Sequence, residues 1–321
     1  MLAFILRRLL ITIPMLFGIT FLTFVIVNAQ GNPVADLQRN PRFRPADIER
    51  IRENMGLNEP VPVRYVKWVS NLVRGDLGIS LSNATPVRDR IVAVLPNTIL
   101  LTGVSLVFSF LLSIPLGIYS ATKRGSWFDN TVTVLSVAAF AMPTFWLALL
   151  LILLFSSQFR EWGLPSLPVS GMVDARRGGG FFDRVEHLIL PVVALSIGDL
   201  AGWTRYIRSQ MLEVIRQDFV RTAHAKGLHG NAIIYGHAFR NALLPLVTLV
   251  SLSLPGIVGG AFIVETVFAW PGLGRLTVEA ARKSDYTLIL GTVLMFSCLT
   301  LLANLLADIA YATLDPRIRY G

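Results

Sequence analysis

Of the 321 residues, 53% are hydrophobic and only 15% charged, far below the roughly one quarter charged expected of a soluble domain, so an ordinary soluble domain is excluded. The formal net charge of +9 would suit a nucleic-acid partner, but the basic residues flank apolar runs and no recognition module is present. The uncharged runs Ile91 to Thr122, Asn130 to Phe159, Asn241 to Val264 and Tyr286 to Ala307 each exceed the roughly 20 residues that cross a bilayer as a helix. The composition therefore predicts an all-α integral membrane protein. The single cysteine, Cys298, falls in the last of these runs. It permits no intrachain disulfide and reads as a small buried side chain.

In chain order, Leu9 to Ala29 is apolar behind Arg7 and Arg8. It is long and has no small-residue cleavage pattern, so it reads as an uncleaved first membrane helix rather than a signal peptide. Pro14 lies near its start, where a missing backbone donor is tolerated. Residues Gln30 to Leu95 form the sizeable polar region. A short helix is expected at Pro45 to Met55, with Asp47 and Glu49 in its first turn, and a second at Val63 to Arg74, with Tyr65, Val66, Trp68 and Val69 packing. A region this small holds little core of its own and is expected to lean on the membrane helices.

Three spans follow, at Thr98 to Ala121, Thr131 to Ser156 and His187 to Ile207. The last contains Asp199. A carboxylate at that depth is expensive and faces the bundle interior or water, which makes Asp199 a candidate pathway residue; a packing role satisfied by polar neighbours is the equal alternative. In the loop Ser157 to Glu186, the string RRGGG (Arg176 to Gly180) reads as a flexible linker, and no GxxxxGK[ST] phosphate loop occurs. Spans five and six are expected at Leu244 to Glu265 and Tyr286 to Tyr311. Between them, Phe268 to Leu276 (FAWPGLGRL) carries a Pro-Gly turn, with Trp270 expected as an interfacial anchor. Glu265 and Asp308, near span ends, are accounted for by local hydrogen bonds.

Between spans four and five lies Asp218 to Pro245, DFVRTAHAKGLHGNAIIYGHAFRNALLP. Helical spacings on either side of Gly227 predict helix, tight turn, helix. Gly227 permits positive φ or close backbone approach, and Ala223 and Ala225 leave little bulk beside it, so a partner protein can press on the turn. The alternative is an amphipathic loop lying on anionic headgroups. With both termini inside, the short outer loops carry seven basic residues and the inner segments twelve. That bias puts this loop on the cytoplasmic face, long loops being excluded from the count.

The string RTAHAKG, Arg221 to Gly227, resembles the so-called EAA loop of bacterial ABC importer permeases. Arg221 and Thr222 stand where that family has Glu and the first Ala, while Ala223 and Gly227 agree. The strings RRLLITIPMLFGITFLTF (7 to 24), GDLGIS (75 to 80), LPNT (95 to 98), WPGLGRL (270 to 276) and DPRIR (315 to 319) extend the likeness along the chain. Their order and spacing are similar to the dipeptide/oligopeptide (peptide and nickel) permease B-type family. The resemblance implies a type I importer permease fold with six transmembrane helices and a small extracytoplasmic region between the first two. The division would be 1–29, 30–95, a membrane domain over 96–311 with its coupling loop at 209–242, and a tail at 312–321. It implies a second, similar permease chain, two ATP-binding subunits that bind the ATP, and an extracytoplasmic solute-binding protein, with no cofactor or catalytic centre in this chain. Arg221, Thr222, Ala223, Lys226, Gly227 and Leu228 would contact the ATPase. For the outer region, a passive cap and a surface for the solute-binding protein stand as equal alternatives. Family substrates include dipeptides, oligopeptides, glutathione, nickel and oligosaccharides. A self-contained secondary transporter using Asp199, Glu265 or Asp308 is the competing class. A membrane enzyme is disfavoured, since no HExxH, GxSxG or metal-spaced His/Cys cluster occurs.

Overall fold

The computed structural model describes residues 2–29, 44–54, 56–174, 176 and 178–314. The first part of the expected outer region, Arg177 and the DPRIR string lie outside the described residues, as does the Asp47 side chain. The helices are α1 (Leu2–Ala29), α2 (Pro45–Asn54), α3 (Val61–Val73), α4 (Val87–Thr122), α5 (Trp127–Ala141), α6 (Thr144–Ile152), α7 (Phe181–Val214), α8 (Asp218–Ala225), α9 (Phe239–Val267), α10 (Leu273–Arg282) and α11 (Tyr286–Leu314). Among the described residues the only β pairing is one isolated bridge, Ile79 with Pro86. Five helical segments are long and apolar enough to cross a membrane: Leu10–Ala29, Val87–Thr122, Thr144–Glu161, Phe181–Val214 and Tyr286–Ile309. A shorter apolar stretch, Leu252–Val267, lies in α9 where the fifth span is expected.

Two boundaries differ from expectation for clear reasons. The run expected as one helix over Thr131 to Ser156 is broken at Met142 and Pro143. Met142 takes an extended ψ of 124°, because proline has no amide to continue the ladder and disfavours the α conformation in the residue before it. Beyond α6 the chain passes through a π-helical stretch, Leu153–Gln158. In the other direction, α4 begins at Val87 rather than Thr98. Its charged first turns, Arg88 to Arg90, carry no hydropathy signal.

The chain separates into two compact units, one of Met1–Ile5, Ile99–Trp270 and Thr300–Gly321, the other of Leu6–Thr98 and Pro271–Leu299. In the first, α7 packs against α5, α6 and α9. Gly117 lets α4 approach α7 closely, since a Cβ there would lie 2.7 Å from Ile207; small residues at such crossings are how membrane helices gain van der Waals contact. Ser196 Oγ donates to the Ser105 carbonyl and Ser109 Oγ to the Ser196 carbonyl, each at 3.1 Å, and each such interhelical bond contributes on the order of 0.6 kcal/mol. Trp270, expected as an interfacial anchor, is instead fully buried beside Phe268, Val264 and Leu190. The correction has a local cause: the positive φ of Ala269, 48°, ends α9 and turns the chain so that Trp270 folds into the unit.

In the second unit, the small lobe that carries α3 leans on α1 as expected. Tyr65 Oη lies 2.9 Å from Thr20 Oγ1 and donates to the Phe17 carbonyl at 3.0 Å. Its ring meets those of Phe21 and Phe24 edge-on, a geometry that favours aromatic pairs by about 0.5–1.5 kcal/mol beyond their buried area. Val66, expected to pack with it, is exposed, because it lies one position round the helix from Tyr65 and the face changes at that spacing. Fully buried Asp285 accepts from Leu81 N and Ser82 N at 3.1 Å, from Ser80 Oγ, and from Leu288 N at 3.1 Å. One carboxylate thus caps α11 and fixes the Leu77 to Ser82 segment.

Candidate functional site

The polar segment between α7 and α9 forms the expected helix, turn and helix, with a π-helical stretch, Ala232–Ala238, opening the second half. α8 stops in a Schellman arrangement: Gly227 N donates to the His224 carbonyl at 2.9 Å and Leu228 N to the Ala223 carbonyl at 3.3 Å. This closure needs a left-handed residue after the cap, a conformation strained for residues with a Cβ. Gly227 supplies it, with φ 73°. A Cβ added at Gly227 would meet nothing within 4 Å, so no neighbouring atom crowds this position.

Val220, Ala223 and Ile233 bury together and hold α8 against the π-helical stretch. Of the six residues expected at the docking surface, only Ala223 is in that small core. Arg221, Thr222, Lys226, Gly227 and Leu228 are exposed. Arg221 reaches Asp218 at 3.3 Å with both side chains largely in solvent, a pairing that contributes little. Thr222 Oγ1 donates to the Asp218 carbonyl. Phe219 and Tyr235 add exposed aromatic area to the same loop. The leucine of the turn, Leu228, is exposed.

The loop stands on a firm base. Met211 and Val214, at the end of α7, and Ala238, Ala242 and Leu246 bury with Ile118 and Ala121 of α4 and with Trp203 and Ile207. Beside them Arg208 donates twice to Asp129, with Nη2 to Oδ2 at 2.8 Å and Nε to Oδ1. Asp129 also accepts from Gly125 N, and its own amide donates to Ser126 Oγ, so the α4–α5 turn is tied to α7. Sequence reasoning used Arg208 only as a topological charge and passed over Asp129. The signal was there: Ser126 three residues before Asp129 is the spacing of a reciprocal helix cap.

Asp199 lies half-buried at mid-length of α7, apart in sequence from the loop. Among the described residues it makes no ion pair or hydrogen bond. Nearby Arg205 sits over the Phe140 ring at 4.9 Å. No cluster able to hold a metal ion occurs among the described residues. The arrangement offers a shaped, exposed backbone turn on a braced base.

A family model described as binding-protein-dependent transport system inner membrane component matches residues 113–320, and a model of the N-terminal part of such components matches residues 1–102. The oligopeptide transport system permease protein AppB of Bacillus subtilis is 43% identical over 321 residues, 100% of each chain. The dipeptide transport system permease protein DppB of Escherichia coli is 37% identical over 342 residues, covering 100% of this chain and 99% of that one. DppB of Alkalihalophilus pseudofirmus is 38% identical over 339 residues, 100% of each. A solved structure of the MetNI methionine ABC transporter in inward-facing conformations aligns with a TM-score of 0.47 at 19% identity, over 68% of this chain and 95% of that one.

Proposed function

Because the chain belongs to the family of binding-protein-dependent transport system inner membrane components, we propose that it forms half of the transmembrane pathway of an ATP-driven importer of dipeptides or oligopeptides. It is a multi-pass inner-membrane protein. The peptide class is supported by the names of its full-length relatives. A second, similar permease chain completes the pathway. Two ATP-binding subunits drive it, and an extracytoplasmic protein delivers the solute to the side bearing the 30–95 region. Both termini are cytoplasmic, in keeping with the basic bias of the inner segments. The half-buried Asp199 faces the pathway.

The observation that carries the reading is the exposed turn at Ala223 to Leu228, held by main-chain hydrogen bonds with open space at Gly227. An ATPase cleft recognises that backbone shape, and Arg221, Thr222, Lys226 and Leu228 line the contact around it. A rigid turn on a braced base lets closure of the ATPase subunits pull on α7 and α9 rather than bend the loop.

Replacing Gly227 tests this in reconstituted vesicles. Gly227→Val is expected to insert normally and lose peptide uptake, either by losing the ATPase subunits during purification or by hydrolysing ATP without response to the loaded binding protein. A headgroup-bound loop would instead notice Lys226→Gln and ignore Gly227→Val. Uptake at the parental rate by Gly227→Val would end the docking assignment. Orientation is read separately in a Cys298→Ser background. A cysteine at exposed Arg124, which spares the Ser126 cap, should be protected from an impermeant external reagent, and one at Ser166 should be labelled; the reverse pattern inverts the topology.

A further inference from the structure

The second unit holds a cavity of about 700 Å³ that the transport reading leaves unused. That size falls within the range of small-molecule sites. Its walls come from the end of α1, the end of α2 with Gly56, one face of α3, the Asp76 to Leu81 segment and the start of α11. Two independent clasps fix these walls: the Tyr65 hydroxyl on Thr20 and Phe17, and Asp285 on the Ser80 to Ser82 backbone and hydroxyl. The space between them is therefore set by the fold before any ligand arrives.

The lining chemistry is directional. Phe24, Val27, Trp68 and Leu290 give it an apolar, aromatic floor, Arg64 and Lys67 bring positive charge, and Glu53 and Asp76 bring negative charge, Asp76 already accepting from Gly78 N. Lys67 is engaged, donating to Glu59 Oε1. Arg64 has Glu59 as an electrostatic partner and stands over the Phe24 ring at 5.8 Å from its centroid, but its Nε is buried without a hydrogen-bond partner. Burial pulls the Arg64 guanidinium below its ordinary pKa, with Glu59 opposing. A buried donor left unpaired is costly, and a fork-shaped cation suits a carboxylate best. We propose that this cavity is a binding site for a small amphiphilic carboxylate, its anionic end on Arg64 and its apolar part on Phe24, Val27 and Trp68.

Such a ligand has two sources, a short peptide with a free C-terminus or a fatty acid from the bilayer. Both are tested on the purified complex in phosphatidylcholine nanodiscs. The probes are a leucyl-photoleucine dipeptide, its C-terminal amide and a diazirine-bearing fatty acid. The free dipeptide should label Val61 to Val73 or Leu77 to Ala84 on illumination, and loss of the charged hydrogen bond should cut labelling by about tenfold with the amide or in Arg64→Gln. Arg64→Lys should keep most of the labelling, and Trp68→Ala should reduce it. Labelling of the same segments by the fatty acid, undisplaced by excess unlabelled dipeptide, assigns the site to lipid. The comparison of free dipeptide and amide uses the unaltered chain, so it stands even if a variant misfolds. No light-dependent labelling of these segments by either carboxylate probe, or labelling indifferent to both amidation and Arg64→Gln, overturns the proposal. The docking assignment at Gly227 is untouched by either outcome, since it is read from uptake and ATP hydrolysis.

Discussion

The turn at Ala223 to Leu228 and the segment Leu77 to Ser82 are both short irregular connections, and both lie in strings that stand out in the sequence. They treat their polar groups in opposite ways. In the first, the side chains other than Ala223 are exposed and the main chain satisfies itself through the two amides that close α8. In the second, backbone amides and the Ser80 hydroxyl turn inward onto Asp285, a residue distant in the chain and fully buried. One stretch leaves its side chains exposed, and the other is consumed by its own fold. A string's polarity does not distinguish the two; the location of its hydrogen-bond partners does.

The contrast predicts a graded series of effects on stability. Asp285→Ala should be the largest, because four donors lose one acceptor, and a loss of at least about 3 kcal/mol is expected. A lowered thermal midpoint in detergent, with protease cleavage near Leu77 to Ser82, would register it; a midpoint equal to the parent's would remove the inward half of the comparison. Next comes Asp129→Asn. Removing one partner of a buried pair costs about 3–5 kcal/mol, and because the Arg208 side chain is 27% exposed the expectation is reduced to about 2 kcal/mol. Joint replacement Asp129→Arg with Arg208→Asp should recover part of that loss, and no recovery would mean the contribution comes from the Gly125 and Ser126 contacts instead.

Gly227 substitutions should alter stability less and function more. A β-branched residue at that φ costs about 1–2 kcal/mol, whereas Asn tolerates the left-handed region. Comparing Gly227→Val with Gly227→Asn therefore separates backbone strain from bulk at the partner's surface. Uptake lost in both, with the Asn variant as stable as the parent, assigns the loss to bulk; uptake kept in Asn alone assigns it to strain. The smallest effect is expected of Lys226→Gln, within about 0.5 kcal/mol in stability as for other exposed side chains and with uptake close to parental. A large defect there would shift the recognition from backbone shape to charge.

The apolar runs and the helix, turn and helix around Gly227 were legible in the sequence because both are local patterns, hydrophobicity in one case and a glycine between helical spacings in the other. What escaped depends on distant partners or on features without a hydropathy signature. α10 was not anticipated, since Leu273 to Arg282 is short and follows a Pro-Gly turn that marks only where a chain bends. Trp270 was misplaced because an indole serves equally at an interface and in a core, and only the turn at Ala269 decides. Asp285 was passed over, because its Ser80 to Ser82 partners lie some two hundred positions away. Asp199 keeps both of its readings from sequence, with no ion pair or hydrogen bond to favour a packing role among the described residues.

The closure of α8 bears on how such a chain can drift. Its turn is shaped by main-chain hydrogen bonds and by a single glycine φ, so mutation at Arg221 or Thr222 leaves the contour intact. A lineage can exchange those side chains one at a time and never pass through an intermediate that has lost the turn. Arg221 and Thr222 standing where the EAA pattern has Glu and Ala are then substitutions of low consequence for shape. Gly227 has less freedom: unless it were replaced by a residue such as Asn that tolerates the left-handed region, a lineage that changed it would have to rebuild the cap.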